Sequence, residues 1–356
     1  MTENPGPGPK DFRFRKPDDF PKDFRIRKPD DFHVHLRDGE MLRDIAGYTA
    51  ALFGRALVMP NLTPAILTEA DAEAYRSRIL RAIEPFGFDF EPLMTIKLTA
   101  RTTPEIIGSL RRTIAVKVYP EGVTTNSEDG VRDLSRVSGD VFRAMADKGI
   151  VLSVHAEEPS AFCLDREWRY LGRIERIAEE HPSLKMVIEH VTTCEAVGLV
   201  RDFGDNVAAT ITAHHLHATL DDVVGDKLRP HHFCKPIPKR PGDRAALRDA
   251  AIFGEKFFLG TDSAPHLRGA KECSEGCAGC FTAPIALGLC ATAFEEEGKL
   301  ESLGEFTSER GARFYGLQPN KGEVAILRRD HRVPKDCAGI VPFWAGKDLR
   351  WKAEAR

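Results

Sequence analysis

Residues 30–39 read DDFHVHLRDG. In a β-strand, side chains alternate between two faces. His33, His35 and Arg37 then point one way, and Phe32, Val34 and Leu36 the other. Two imidazoles on successive positions of one face can grip a single metal ion. A His-x-His pair alone is as often two surface or hydrogen-bonded histidines, so its meaning depends on what the rest of the chain brings to it.

What the rest brings is a rhythm. Short runs of β-branched and apolar residues end abruptly in polar ones: 32–36 (FHVHL), 56–61, 92–98, 114–120, 150–157, 185–190, 207–215 and 256–263. Several are apolar enough to be covered on both faces. Helical patterns fill several gaps. Over 68–83, Thr68 and Asp71 have capping-box spacing, and Tyr75, Ile79, Leu80 and Ile83 share a face. Over 138–148, Val141, Phe142 and Met145 share a face ahead of a C-cap Gly149. A third helix is expected over 164–180, carrying Trp168, Leu171 and Ile177. Strands alternating with helices imply parallel pairing, and eight such units predict an α/β fold, a TIM-like (β/α)8 barrel with its site at the C-terminal strand ends. The rival, an open doubly wound sheet, wants a Gly-rich phosphate turn after an early strand, and none is visible.

A formal net charge of −3 over 356 residues offers no basic surplus for nucleic acid. The first ten residues, MTENPGPGPK, lack the apolar core of a signal peptide, and no apolar run is long enough to cross a bilayer. The reading is cytoplasmic, with no membrane partner. Eight cysteines without an export signal are better read as thiols or metal ligands than as a disulfide framework. KDFRFRKPDDF at 10–20 recurs as KDFRIRKPDDF at 22–32, and only the second copy runs on into HVHL. We read the first copy as a tandem duplication dispensable for activity. Residues 1–21 are then a flexible extension, and 22–356 a single barrel domain.

The other strand ends change the odds on the histidine pair. The fifth run reaches His155, the sixth ends at His190, the eighth reaches Asp262, and the fourth carries Lys117. Imidazole suits zinc and a carboxylate completes such a site. An ammonium beside dications is out of place, and burial disfavours its charge. A neutral lysine amine can instead add carbon dioxide, giving a carbamate whose two oxygens bridge two metals. The plainer alternative is a buried lysine paired with a carboxylate.

These residues lie in DDFHVHLRDG, VMPN, KVYP…TTNS, VHAE, EHVTT and LGTDSAPH, in that order, a set that resembles the dihydroorotases of the amidohydrolase superfamily, most closely the short bacterial homodimeric type. The likeness runs from about residue 22 to the C-terminus, and CAGCFTAP and FYGL fit it too. It implies a binuclear zinc site: His33, His35 and Asp262 on one ion, His155 and His190 on the other, bridged by carboxylated Lys117 and a hydroxide. It implies reversible hydrolysis of the cyclic amide of (S)-dihydroorotate to N-carbamoyl-L-aspartate in pyrimidine biosynthesis. The hydroxide would be the nucleophile and Asp262 the general acid–base. Substrate contacts are implied for His35, Arg37, Asn61, His155 and His266, with backbone contacts at Lys235 and Ala278. Thr124 and Thr125 are implied to sit on a lid, and the enzyme is expected to be a homodimer. Lys235 departs from the family pattern, since an apolar residue is expected there.

Other readings stay in view. Another cyclic amidohydrolase, of hydantoinase or allantoinase type, would use the same metal set, but Arg37, Asn61 and His266 suit an acidic ring. A catalytically dead relative would not keep the whole ligand set. Cys273, Cys277 and Cys280 have a C-x3-C-x2-C spacing that also resembles radical iron–sulfur enzymes, yet it follows the eighth strand where theirs follows the first. A thiol-containing loop beside the active site fits better than a third, structural metal site. His214 and His215 end the seventh run and could reach the pocket, but the likeness gives them no ligand role.

Overall fold

Local signals are answered residue by residue in the computed structural model, which describes residues 23–122, 130–131 and 133–355. The helix Glu69–Ile83 opens with the expected capping box. Thr68 Oγ1 accepts from Asp71 N at 3.2 Å, and Asp71 Oδ2 accepts from Thr68 N at 3.0 Å. Tyr75, Ile79 and Ile83 are buried, and Leu80 is half-buried beside them. Gly149 ends the helix Gly139–Lys148 in the left-handed region, φ 69°. The helix Arg166–Glu180 corrects one expectation. Its buried stripe is Glu167, Tyr170, Leu171, Ile174, Ile177 and Ala178, and Trp168 lies outside it, 39% exposed under the Arg169 guanidinium.

The strands are β1 (Asp23–Arg27), β2 (Asp30–Val34), β3 (Arg55–Val58), β4 (Glu91–Lys97), β5 (Thr113–Val118), β6 (Val151–Val154), β7 (Met186–Ile188), β8 (Val207–Ile211), β9 (Phe257–Leu259), β10 (Glu323–Arg332) and β11 (Asp348–Ala355). Among the described residues, β2 to β9 form one eight-stranded sheet in sequence order, each pair parallel. All eight expected runs are these strands.

Just past its end, β9 meets β2 again. Asp262 N donates to the His33 carbonyl at 2.8 Å, and His35 N to the Ser263 carbonyl at 3.1 Å. The buried Asp31 carboxylate latches this seam, accepting from Thr261 N (2.8 Å), Thr261 Oγ1 (2.6 Å) and His33 N (3.1 Å). Burial pushes its pKa up to about 7 against those three donors. Gly260 sits in the seam because a Cβ there would lie 2.8 Å from that of His33.

Inside the barrel, Leu57, Leu93, Ala115, Val151, Val187, Ala208 and Phe258 pack together, plugged by Phe314, Tyr315 and Leu317. Phe32 belongs to this interior set, stacked 4.8 Å from Tyr315 and edge-on to Phe258. Simple alternation puts Phe32 opposite His33. The structure instead breaks the β2–β3 register between Asp31 and Val34: three residues advance on β2 against two on β3. This bulge lets Phe32 and the two histidines all face inward.

The repeated phrase also divides. Its second copy supplies β1 as well as β2, and β1 joins β10 and β11 in a separate antiparallel sheet of order β1-β10-β11. Phe24 packs edge-on against Trp351 there. The first copy lies outside the described residues.

Candidate metal centre

The barrel's interior register decides which side chains reach its mouth. On β5, Ala115 and Lys117 share the inner face; β6 continues from Ser153 to His155, β7 from Val187 to Glu189, and β9 from Phe258 to Asp262. His33, His35, His155, His190 and Asp262 all line one cleft, with Arg37, Asn61, Tyr119, Lys235, Ala264, Ala278 and Gly279. Ligand atoms of His33, His35 and Asp262 lie within 4.8 Å of one another. His155 Nδ1 faces His190 Nε2 at 3.1 Å. These five expected ligands therefore converge from four strand ends, while Lys117, on the inner face of β5, is not in the cleft lining.

Hydrogen bonds fix which nitrogen each ring offers. Glu189 Oε2 accepts from His33 Nδ1 at 2.8 Å, and Glu157 Oε2 accepts from His155 Nε2 at 2.7 Å. As placed, Asn61 Oδ1 accepts from His35 Nδ1 at 2.8 Å. This leaves lone pairs on His33 Nε2 and His35 Nε2, which point at Asp262 Oδ1 from 3.5 and 3.2 Å. Burial, outweighing the Asp262 hydrogen bond, lowers His35 to about 4, so at neutral pH it carries no charge. Burial alone would push the Asp262 carboxyl up, but His35 and His33 hold it well below the usual carboxylate range. Three acceptor atoms aimed at one point repel unless a shared proton, of the kind that lowers Asp262, or a metal cation lies between them. That arrangement fits a metal ion, with Glu189 and Glu157 orienting its ligands from behind.

The second half of the site fits as well. Lys117 Nζ is fully buried without a hydrogen-bond partner among the described residues, and so is His190 Nδ1. Burial lowers the Lys117 pKa to about 8, although Glu189 and Asp262 pull it upward. Three of the mouth residues adopt left-handed backbone despite carrying side chains: Arg37 (φ 56°), His190 (φ 42°) and Asp262 (φ 43°). Each such conformation costs on the order of 1–3 kcal/mol and persists only where surrounding contacts hold it.

The expected carboxylate-binding group is partly assembled. Arg37 Nε donates to the Pro265 carbonyl at 3.0 Å, leaving the rest of the guanidinium on the cleft. His266 Nε2 lies 3.0 Å from both Arg37 Nη2 and the Ala278 carbonyl. One nitrogen cannot accept from the first and donate to the second together, so a bound carboxylate would choose. Burial, reinforced by the Arg37 charge, lowers His266 to about 3. His266 stands behind Arg37 and is absent from the cleft lining. Gly279 beside it has φ 148°, and a Cβ there would fall 2.4 Å from the Ala264 carbonyl. Lys235 does border the cleft, half-buried near Glu157. Thr124 and Thr125 lie outside the described residues. Of the three loop cysteines, Cys280 is buried, Cys277 intermediate and Cys273 exposed.

Sequence reading missed four groups around this cleft. Glu189 is buried and accepts from His33, from Ser153 Oγ (2.5 Å) and from Thr210 Oγ1 (2.6 Å), tying β2, β6 and β8 to the end of β7. Glu157 stands two residues after its histidine. Tyr119 lines the cleft wall. Lys97 is buried beside Lys117 in register, its amine 5.9 Å from the Tyr119 ring. A carboxylate adjoining a candidate ligand, as in EH and HAE, was the available signal for the first two.

The Amidohydrolase family model matches residues 31–326. A dihydroorotase of Hahella chejuensis is 48% identical over 333 residues, covering 90% of this chain and 96% of that one. The crystal structure of dihydroorotase from Campylobacter jejuni superposes with a TM-score of 0.86 at 38% identity, over 93% of this chain and 97% of that one. The dihydroorotase of Saccharomyces cerevisiae, solved with 5-fluoroorotic acid, gives 0.88 at 32% identity, over 94% and 100%. An L-hydantoinase from Arthrobacter aurescens shares the fold at 17% identity, with a TM-score of 0.76 over 92% of this chain and 82% of that one. With this coverage and identity, the chain belongs to the amidohydrolase family and, within it, to the dihydroorotases.

Proposed function

We propose that the barrel mouth opens the amide ring of dihydroorotate to N-carbamoyl-L-aspartate, and closes it in reverse, as a step of pyrimidine biosynthesis. The carrying observation is the set of acceptors converging at Asp262 Oδ1, beside an arginine facing the same cleft. His33, His35 and Asp262 would hold one zinc ion, and His155 and His190 a second. Lys117, its amine neutral more often than an exposed lysine's and with no hydrogen-bond partner among the described residues, would bridge them as a carbamate. When bound, the metals supply a Lewis-acid pull on the ring carbonyl and a lowered pKa for water.

The chain's own groups do the rest. Arg37 presents a planar fork to the substrate carboxylate, with Asn61 on the same cleft and His266 in contact with the guanidinium from behind. The yeast relative's bound 5-fluoroorotic acid, itself an acidic pyrimidine ring, supports that polarity. Asp262 is ionised at neutral pH and can only accept. It takes the proton of the attacking water and returns it to the ring nitrogen as the C–N bond breaks. Lys235 and Ala278 line the same cleft, and their backbone would contact the substrate. By family likeness the enzyme acts as a cytoplasmic homodimer. No helix among the described residues is long and apolar enough to cross a membrane.

Assaying dihydroorotate, hydantoin and allantoin side by side, with metal content measured on the same preparation, tests the reading. Turnover of dihydroorotate with at least two zinc ions per chain is expected. Preference for a neutral ring, or full activity without metal, overturns it.

A further inference from the structure

We propose that the chain carries a further, sulfur-containing site for a zinc-class divalent cation, built by His214, His215 and Cys234 beside the end of β8. The ligand atoms of these three buried residues all lie within 4.8 Å of one another. Cys234 Sγ stands 3.6 Å from His215 Nε2. A tetrahedral ion with Zn–N of about 2.05 Å and Zn–S of about 2.3 Å spans an N···S edge of about 3.6 Å. Both ring nitrogens of His214 are wholly buried without a hydrogen-bond partner among the described residues. A buried imidazole with nothing to bond costs stability, and a cation at this position satisfies it.

The neighbouring groups suit that use. Thr212 Oγ1 lies 2.8 Å from His215 Nδ1 and can take its proton in a hydrogen bond, which turns the Nε2 lone pair towards Cys234. Without metal, the Pro236 carbonyl lies 3.1 Å from His215 Nε2 and 3.4 Å from Cys234 Sγ, so it holds the proton of one or the other. Those are the protons that metal uptake releases, since a coordinating thiol is deprotonated outright. None of the three side chains lines the mouth cleft. Lys235, which does line it, follows Cys234 directly. The ion would therefore brace the cleft wall against β8.

Sulfur makes the site separable from the mouth, whose ligands are nitrogen and oxygen alone. The full-length enzyme is loaded with cobalt(II), and its near-ultraviolet spectrum and metal content are recorded. We expect a thiolate-to-cobalt charge-transfer band, and one cobalt fewer per chain with loss of the band in Cys234→Ser. In His214→Gln the band should need more cobalt to develop, which keeps the test open if Cys234→Ser does not fold. No band in the parent enzyme, a band that survives Cys234→Ser, or an unchanged cobalt count in that variant overturns the proposal. Dihydroorotate turnover is not the readout, so the function of the mouth and of this site fail independently.

Discussion

Replacing Glu189 by Gln keeps the shape of the side chain and removes only its charge. In the parent, one carboxylate accepts from His33 at 2.8 Å, Ser153 at 2.5 Å and Thr210 at 2.6 Å. The amide oxygen can still serve His33 and Thr210, while the amide nitrogen turns to Ser153, whose hydroxyl can accept. What is lost is the charge assistance on the His33 bond, which strengthens as a metal draws electron density from the ring. A charged acceptor is worth about 1.5–3 kcal/mol against about 0.5–1.5 for a neutral one. Loss of such a ligand-orienting partner typically costs about 10–100-fold in metal affinity. We expect about 2 kcal/mol, roughly 30-fold in zinc affinity, with the fold intact. Titrating the metal-free variant with zinc against a chelating indicator measures it, and a parallel thermal melt checks folding. Zinc affinity within threefold of the parent would show that packing, not this bond, aims His33. Glu189→Ala is the poorer probe, because it strands three buried donors and mixes folding with binding.

Lys117→Ala should lower activity by several kcal/mol of barrier, roughly 100-fold or more, with partial recovery on adding short-chain carboxylic acids; parent-level turnover in the variant would show the bridge is unneeded. Arg37→Lys should raise KM roughly 10- to 30-fold by losing the planar fork while zinc content stays unchanged, and metal loss would mean the residue supports the metal side instead. Acidity should destabilise the metal-free protein. Burial lowers His35, His214, His217 and His232 to about 4, and His266 to about 3. The unfolded chain therefore binds more protons than the folded one below about 6.5, and stability is lost as pH falls from there towards 4. Asp31 and Glu167, raised to about 7 by burial, act in the opposite sense over much of the same window. Five imidazoles against two carboxyls should leave Tm falling with pH in calorimetry. A flat or rising Tm across that window would refute the balance.

Strand positions were legible because each barrel strand is short, doubly covered and ended by a polar residue, a pattern that needs no tertiary information. The inward turn of Phe32 was not, because the β2 bulge exists only against β3 and alternation within one strand cannot reveal it. The outward turn of Trp168 was hidden for a related reason: its neighbours Glu167 and Tyr170 carry the buried stripe, and a buried glutamate is invisible to a hydrophobicity pattern. Burial of Glu167 rests on donors from distant chain, the backbone of Thr192 (2.8 Å) and the hydroxyl of Thr193. The same holds for the metal centre. Candidate ligands could be picked out by residue type and strand end, but the nitrogen each ring would offer depends on Glu189, Glu157 and Asn61, whose positions appear only when strands are placed side by side. The left-handed backbone at Arg37, His190 and Asp262 belongs to this level too. Nothing in those residue types asks for it, and the seam and mouth contacts hold it. What a single chain records, then, is the inventory of candidate ligands. What the closed barrel adds is their aim, and aim is what turns scattered polar residues into a candidate cation site.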